Sequence, residues 1–299
     1  MVNGKPVVSG LGEILWDLLP GGRQLGGAPA NFAYHAHALG ARAFPISRIG
    51  QDALGTELLD RLRSLGLPTE GIQLDTDAPT GTVSVELLDD GGHQFTIHEN
   101  VSWDRIEAES GAQALASTAD AICFGSLAQR TSASRIAVQA IVAATPPEAL
   151  RIFDINLRQN FYSPEVIVQS LRIANVLKIN DEELPIVADI LALHGSPIEQ
   201  LSQISDSFHL QLAALTLGKA GSILLADSRV SEMAGAPVEV VDTVGAGDAF
   251  TAAMALGWLA GWDLNEINRH ANQVASYVCT QSGATPPLPP ELTSPFSAD

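Results

Sequence analysis

The residues best suited to chemistry lie near the C-terminal end, in Val240-Val241-Asp242-Thr243-Val244-Gly245-Ala246-Gly247-Asp248-Ala249-Phe250. A β-branched run gives way there to two glycines, an aspartate and a helical pattern, which reads as strand, anion-binding turn and helix. Gly245 and Gly247 let backbone N–H groups approach a ligand closely, and the helix from about Gly247 adds unpaired N–H groups and a positive dipole end. Asp248 sets a carboxylate beside that anion hole, the arrangement phosphoryl transfer needs. Asp248 equally fits a plainer role, as a first-turn acid favoured by the helix dipole, with the glycines as a tight turn. Neither the dinucleotide fingerprint nor the P-loop fits: no third glycine follows, and no Gly-Lys pair precedes Ser or Thr.

Other polar residues punctuate apolar runs. Asp17 interrupts Ile14–Leu19, where an ionised carboxylate is costly unless paired or hydrogen-bonded; sugar hydroxyls would satisfy it, as would water at an edge strand. Asn31 follows Gly26-Gly27-Ala28-Pro29, a helix-start pattern, and offers a donor and an acceptor to a polyol or to its own backbone. Arg158, after Asp154-Ile155-Asn156-Leu157, has a fork of donors suited to phosphate oxygens. Asn180 and Glu183 are suited to orienting waters around magnesium, and equally to capping a helix as N-cap and capping-box partner. Thr216, Gly218 and Lys219 form either a β-turn or a nucleotide contact. Lys219 stands out because only Lys5 and Lys178 accompany it.

The elements that must position these groups alternate. An apolar strand at Pro6–Leu11 leads into a second at Ile14–Leu19, and Ala43–Ile49 precedes a helix at Asp52–Leu65 with Leu54, Leu58, Leu62 and Leu65 on one face. Residues 82–87 and 94–97 flank Asp89-Asp90-Gly91-Gly92, a hairpin signal that reads, with Ile14–Leu19, as a small sheet covering a cleft. Strands at Ala121–Phe124, Arg151–Asp154 and Asn175–Ile179 alternate with helices at Ser132–Ala143 and Pro164–Ile173. A glycine-turned hairpin spans Leu212–Ala226, and helices follow at Gly247–Leu259 and Leu264–Val278. Repeated βα units predict an α/β fold: one doubly wound, mostly parallel sheet flanked by helices, with ligands at the carboxyl ends of its strands. All 299 residues are expected to form a single domain, with lid strands inserted at about 13–20 and 80–99.

Composition narrows the function classes. Thirty-four acidic against sixteen basic residues give a net charge of −18, which argues against nucleic-acid and anionic-membrane surfaces and for small-molecule partners. Cys123 and Cys279 lack a CxxC partner and sit in apolar runs, as reduced core residues would. His35 and His37 lack further ligands at metal spacing and read as helix-surface or core residues. With no signal-like N-terminus and no apolar span of membrane length, the expected location is the cytoplasm.

The Gly26–Asn31 stretch and Asp242–Phe250, in this order and separation, resemble the two motifs of the ribokinase-like (PfkB) carbohydrate kinases, and the resemblance runs over essentially the whole chain. It implies a ribokinase-like fold, with Asp248 as base for the substrate hydroxyl and the backbone of Gly245, Ala246 and Gly247 as anion hole. It further implies sugar contacts from Asp17, Gly27 and Asn31, and magnesium and phosphate placement by Asn180 and Glu183, the latter through water. Nucleotide contacts from Thr216, Gly218 and Gly221 are implied, with Asn272 bordering the adenine and a monovalent-cation (K+) site near Asp242 and Gly283. Gly12-Glu13 before Asp17, and Phe153-Asp154-Ile155-Asn156-Leu157-Arg158, are most similar to fructokinases. Ile155 departs from them where proline is common, and residues 98–104 match no particular sugar.

The expected activity is transfer of the ATP γ-phosphoryl group to a primary hydroxyl of fructose. Acceptors on the same scaffold that compete with it are 2-keto-3-deoxygluconate, ribose and adenosine; Trp16, Phe95, Trp103 and Phe161 would stack a base. A noncatalytic sugar or nucleotide sensor has no need of Asp248 beside the anion hole. A homodimer through the lid is expected.

Overall fold

The computed structural model describes residues 4–19, 21–87, 93–293 and 296. The first third of the chain gives β1 (Val7–Leu11), β2 (Leu15–Leu19), β3 (Gly22–Gly26), α1 (Ala28–Ala38), β4 (Arg42–Gly50), α2 (Ala53–Ser64), β5 (Ile72–Asp75), β6 (Gly81–Leu87) and β7 (His93–Ile97). There follow α3 (Ser110–Ala116), β8 (Ala121–Phe124), α4 (Ser132–Ala143), β9 (Leu150–Asp154), α5 (Pro164–Ile173), β10 (Val176–Asn180), α6 (Glu183–Ile190) and α7 (Pro197–Phe208). The last third forms β11 (Leu212–Thr216), β12 (Gly221–Ala226), β13 (Arg229–Ala234), α8 (Ala246–Leu259), α9 (Leu264–Cys279) and α10 (Pro290–Thr293).

Nine strands form one sheet in the order β13-β12-β11-β10-β9-β8-β1-β4-β5. All neighbours from β11 to β5 are parallel, and β12 and β13 add an antiparallel edge. Strand order reverses between β1 and β8, which opens a crevice at the carboxyl ends of those two strands. Central strands such as β8 are buried on both faces, which explains their continuous apolar sequence. One apolar layer joins the sheet to α1, α2, α8 and α9, and the opposite layer joins it to α3 through α7. Local signals set the helix starts: Asp52 Oδ1 accepts from the Gly55 N–H at 2.7 Å before α2, and Pro164 opens α5 behind the Ser163 cap.

A second sheet, ordered β3-β2-β6-β7, is the expected lid. Strand β2 runs parallel to β6, and β6 and β7 pair antiparallel from Val83 with Ile97 to Leu87 with His93. The Asp89–Gly92 turn lies outside the described residues. Gln159 Nε2 donates to the Phe95 carbonyl at 2.7 Å, joining β7 to the loop after β9.

Several expectations need correction. Val240-Val241 is not a strand: residues 235–240 carry no regular structure, and the two valines are 56% and 63% exposed. Strand β13 already ends the sheet, so the run finds no ladder; its Val241 and Asp242 N–H groups bond to the Cys279 carbonyl instead. Cys279 is half-buried at the end of α9, whereas Cys123 is in the core, and both are free thiols. Strands β3, β5 and β13 and helices α7 and α10 have no counterpart among the predicted elements, whereas the helix that Asn180 and Glu183 fitted as caps is α6. No helix among the described residues is long and apolar enough to cross a membrane.

Candidate active site

The crevice at the sheet reversal gathers the chemistry-bearing residues. Helix α8 starts behind Gly245, whose φ of +80° is left-handed and whose Cβ position lies 2.5 Å from the Ala284 carbonyl oxygen, so only glycine fits this turn. As first-turn residues, Gly247 and Asp248 have N–H groups without acceptors inside the helix. Asp248 is half-buried. The helix dipole alone would make it a weak base, but burial first, and the nearby Asp154 charge second, push its carboxyl up to about 6. The opposing pulls of Asn31, Lys178 and Arg158 are smaller.

Asn31 comes to this point from α1. Its Nδ2 donates to Asp248 Oδ2 at 2.9 Å, so the two family-motif stretches meet in one hydrogen bond across 217 residues of sequence. The local backbone bond that also fitted Asn31 is not made; its Oδ1 is buried without a partner. Gly27, with φ of +111°, lies so close to the Glu13 carbonyl that a Cβ would meet it at 2.4 Å, which clamps the start of α1 to the turn after β1. Asp17 sits on β2 of the lid, half-buried, with Oδ2 against Gly26. Burial raises its carboxyl to about 6, against the pull of Arg158. Arg158 itself is exposed; its Nη1 bonds only to the neighbouring Leu157 carbonyl among the described residues, which leaves its fork open at the mouth. A cavity of about 10 Å³, about the size of one water, forms the floor beside Pro29, Cys123, Gly125, Asp154 and Asp248.

The nucleotide-side residues occupy the adjoining strand ends, where Asn180 pairs in register with Thr216. Asn180 Oδ1 accepts from Glu182 N at 3.0 Å and Glu183 N at 2.8 Å, while Glu183 returns Oε2 to Asn180 N at 3.0 Å. The capping arrangement is therefore present. Glu183 Oε1 also accepts from Leu157 N at 2.9 Å, which binds the arginine-bearing loop to the start of α6. Both carboxylate oxygens being engaged, Glu183 fits a magnesium ion as an outer partner through water. No group of three or more side chains suited to a metal occurs among the described residues.

Gly218 and Lys219 are exposed in the loop between β11 and β12. Gly221 has a structural reason of its own: a Cβ there would meet the Met233 carbonyl of β13. Asn272 borders this side, but its amide nitrogen donates to Ser222 Oγ and to Asn268 O and Oδ1. Asp242 and Gly283 meet, with Oδ2 accepting from Gly283 N at 3.0 Å and Oδ1 from Val244 N at 3.0 Å. Of the aromatic residues suited to stacking a base, Trp103 is 0% and Trp16 4% exposed, and Trp16 Nε1 is bonded to the Leu54 carbonyl. His35 is a core residue: Nε2 pairs with the Ala284 carbonyl at 2.9 Å, and burial lowers its pKa to about 4.

The family model of pfkB carbohydrate kinases matches residues 21–291. The chain belongs to that family. Among similar proteins, a probable fructokinase of Arabidopsis thaliana is 31% identical, with 96% of this chain and 95% of that protein covered. A putative sugar kinase of Pyrococcus horikoshii, solved in complex with ATP, is 28% identical over 93% of this chain and 94% of that one, with a TM-score of 0.81. A fructokinase of Xylella fastidiosa with bound ATP shares the fold, with a TM-score of 0.86 at 23% identity and coverage of 97% and 98%.

Two residues that the sequence marked only by the scarcity of lysine and by the fructokinase likeness enter the site of this pfkB family kinase. Lys178 is buried, and its Nζ bonds Asp154 Oδ1 at 3.1 Å and lies 3.1 Å from the Cβ position of Gly247. Burial opposes its charge, but Asp154, Glu183 and Asp248 outweigh burial and hold its pKa above the ordinary lysine value. Thr251 Oγ1 ties Asp154 Oδ2, at 3.1 Å, to the Gly247 carbonyl, at 2.9 Å, so the ion pair is fastened to the first turn of α8. The signal was a lysine inside the otherwise apolar Val176–Ile179. The second is Glu13, 2% exposed at the turn after β1. Burial raises its carboxyl to about 7. Its sequence signal was a carboxylate directly behind a buried strand.

Proposed function

We propose that this carbohydrate kinase transfers the γ-phosphoryl group of ATP to a primary hydroxyl of a small sugar, with fructose as the acceptor. The observation that carries the proposal is Asp248: a half-buried carboxylate with its pKa raised to about 6, fixed by Asn31, in the first turn of a glycine-led helix. Fructose is supported by the fructokinase name of the Arabidopsis relative at 31% identity and by the Gly12-Glu13 and Asp154–Arg158 stretches. ATP is supported by the bound nucleotide of the Pyrococcus horikoshii protein.

In this reaction Asp248 takes the proton of the attacking hydroxyl late, because the transition state is loose and positioning with charge neutralisation dominates. The N–H groups of Gly245, Ala246 and Gly247 receive the transferred phosphoryl oxygens, and Arg158 closes on them from the mouth. Asp17, Gly27 and Asn31 hold the sugar. Thr216, Gly218, Lys219, Gly221, Asn180 and the Asn272 carbonyl border the nucleotide. Glu183 and Asn180 would hold the waters of a magnesium ion bound with ATP, which would supply neutralisation of phosphate charge. The Asp242–Gly283 contact is the proposed border of a potassium ion, tested by comparing rates in KCl and NaCl. The large sheet and the lid act as one catalytic unit, with the lid excluding water.

The test is Asp248→Asn. It is expected to lower kcat by roughly 10²-fold or more while ATP and sugar still bind, in line with the contribution of a positioned general base. A folded variant with near wild-type kcat would refute the assignment.

A further inference from the structure

Two acceptor oxygens of the site are buried without a donor. Glu13 follows β1 at the sheet reversal and is 2% exposed, and its Oε2 has no hydrogen-bond partner. Asn31 Oδ1, on the facing turn of α1, is likewise buried and unpartnered. The N–H of Ala28 and the N–H of Glu13 itself act on the Glu13 carboxyl, which gives it a local role at the start of α1 but leaves Oε2 unexplained. A buried acceptor without a donor is destabilising, and few persist without a reason. The groups facing Glu13 are Arg158, which favours its charge, and Asp248, which opposes it. With Asp154 neutralised by Lys178, the acceptor side holds three carboxylates, Glu13, Asp17 and Asp248, against the single Arg158.

We infer that Glu13 is a specificity-determining residue of the acceptor site: its Oε2 receives a hydrogen bond from a sugar hydroxyl, and with Asn31 Oδ1 it selects neutral polyhydroxy acceptors over sugar acids. A hydroxyl brings the missing donor. A carboxylate brings another acceptor and a further negative charge beside the three carboxyls. This deepens the sugar-kinase reading and rests on it.

The test measures kcat, KM and ATP affinity for wild type, Glu13→Ala and Glu13→Gln. Acceptors are the preferred sugar, its monodeoxy analogues and a sugar acid of the same length. For Glu13→Ala, the sugar KM is expected to rise roughly 10- to 100-fold, the range for a hydrogen bond to a charged group. The penalty for removing one particular hydroxyl, large in wild type, is expected to vanish in that variant, with ATP affinity unchanged. Glu13→Gln keeps the shape and an acceptor while removing the charge, so it is expected to bind the neutral sugar within a few-fold of wild type. It should also narrow the preference over the sugar acid by about tenfold or more. The inference is overturned if every deoxy penalty persists in Glu13→Ala, or if Glu13→Ala loses thermal stability with the sugar KM unchanged. Should Glu13→Ala fail to fold, an unchanged preference over the sugar acid in Glu13→Gln overturns it. Wild-type turnover without any Glu13 effect removes this inference alone. Absence of wild-type turnover with every sugar removes the sugar-kinase reading and this inference together.

Discussion

Asp248 combines two opposed influences, and the larger decides its chemistry. A first-turn carboxylate is stabilised in its charged form by the helix dipole, by about 1 kcal/mol or less. Loss of hydration, with the Asp154 charge beside it, acts the other way and brings its pKa to about 6. Glu13, at about 7, and Asp17, at about 6, share the site. Asp248 must be ionised to take a proton, and Asp17 and Glu13 bind a hydroxyl more strongly when charged, so kcat/KM for the sugar is expected to fall as pH drops through about 7 to 6. A pH–rate profile flat from pH 8 to 5 would contradict this. Asp248, Asp17 and Asn31 stood out in the sequence by residue type and position, with plainer roles open beside the chemical ones until the family resemblance favoured the latter. Glu13 and Lys178 stood out less, because what distinguishes them is three-dimensional: an acceptor oxygen without a donor, and an ammonium beneath the Gly247 turn. For Glu183 the sequence left capping and magnesium placement both open; the capping bonds are made, and they restrict any metal role to an outer one.

At the scale of elements, the first turn of α8 is the part most tightly determined. Gly245 cannot carry a side chain, because of its φ of +80° and the Ala284 backbone against it. Gly245→Ala is therefore expected to lower kcat at least tenfold and to lower the melting temperature. A fully active variant would show that the turn tolerates displacement. Below this turn, the side chains of Lys178 and Asp154 are 8% and 5% exposed. Lys178→Met alone leaves a buried uncompensated carboxylate and is expected to destabilise the fold by about 3–5 kcal/mol. The Asp154→Asn/Lys178→Met double variant should recover most of that loss, as read by denaturant unfolding; equal stability of the single and double variants would exclude the coupling. The main parallel strands were legible because burial on both faces writes continuous apolar runs. Strands β3, β5 and β13 were not, since edge strands carry polar or short sequences such as Arg23-Gln24 and Ser231-Glu232. Val240-Val241 misled for the converse reason: a β-branched pair predicts a strand, but no neighbouring edge was available to it.

At the scale of the whole molecule, the reversal of strand order between β1 and β8 brings the starts of α1 and α8 and the ends of β8 and β9 around one crevice, and the lid meets the loop after β9 through Gln159 and Phe95. Alternation of strands and helices revealed the doubly wound class, but the strand order and the contact between residues 31 and 248 emerge only from folding. Gathering three carboxyls with raised pKa values has a global consequence. Their folded values of about 7, 6 and 6 exceed the unfolded values of 4.5, 3.8 and 3.8, so the folded state holds protons that the unfolded state releases. The stability they contribute is present below about pH 4 and is lost as pH rises toward 7. The ligand-free protein is accordingly expected to melt at a higher temperature at pH 5 than at pH 8, and saturating sugar should narrow that difference. The most direct test of the account is magnesium-dependent ADP release from ATP across a panel of sugars, sugar acids and nucleosides, with the product's phosphate located by NMR. Turnover with fructose, phosphorylated at a primary hydroxyl, is the predicted result; turnover with nucleosides alone, or with no acceptor in the panel, would contradict it.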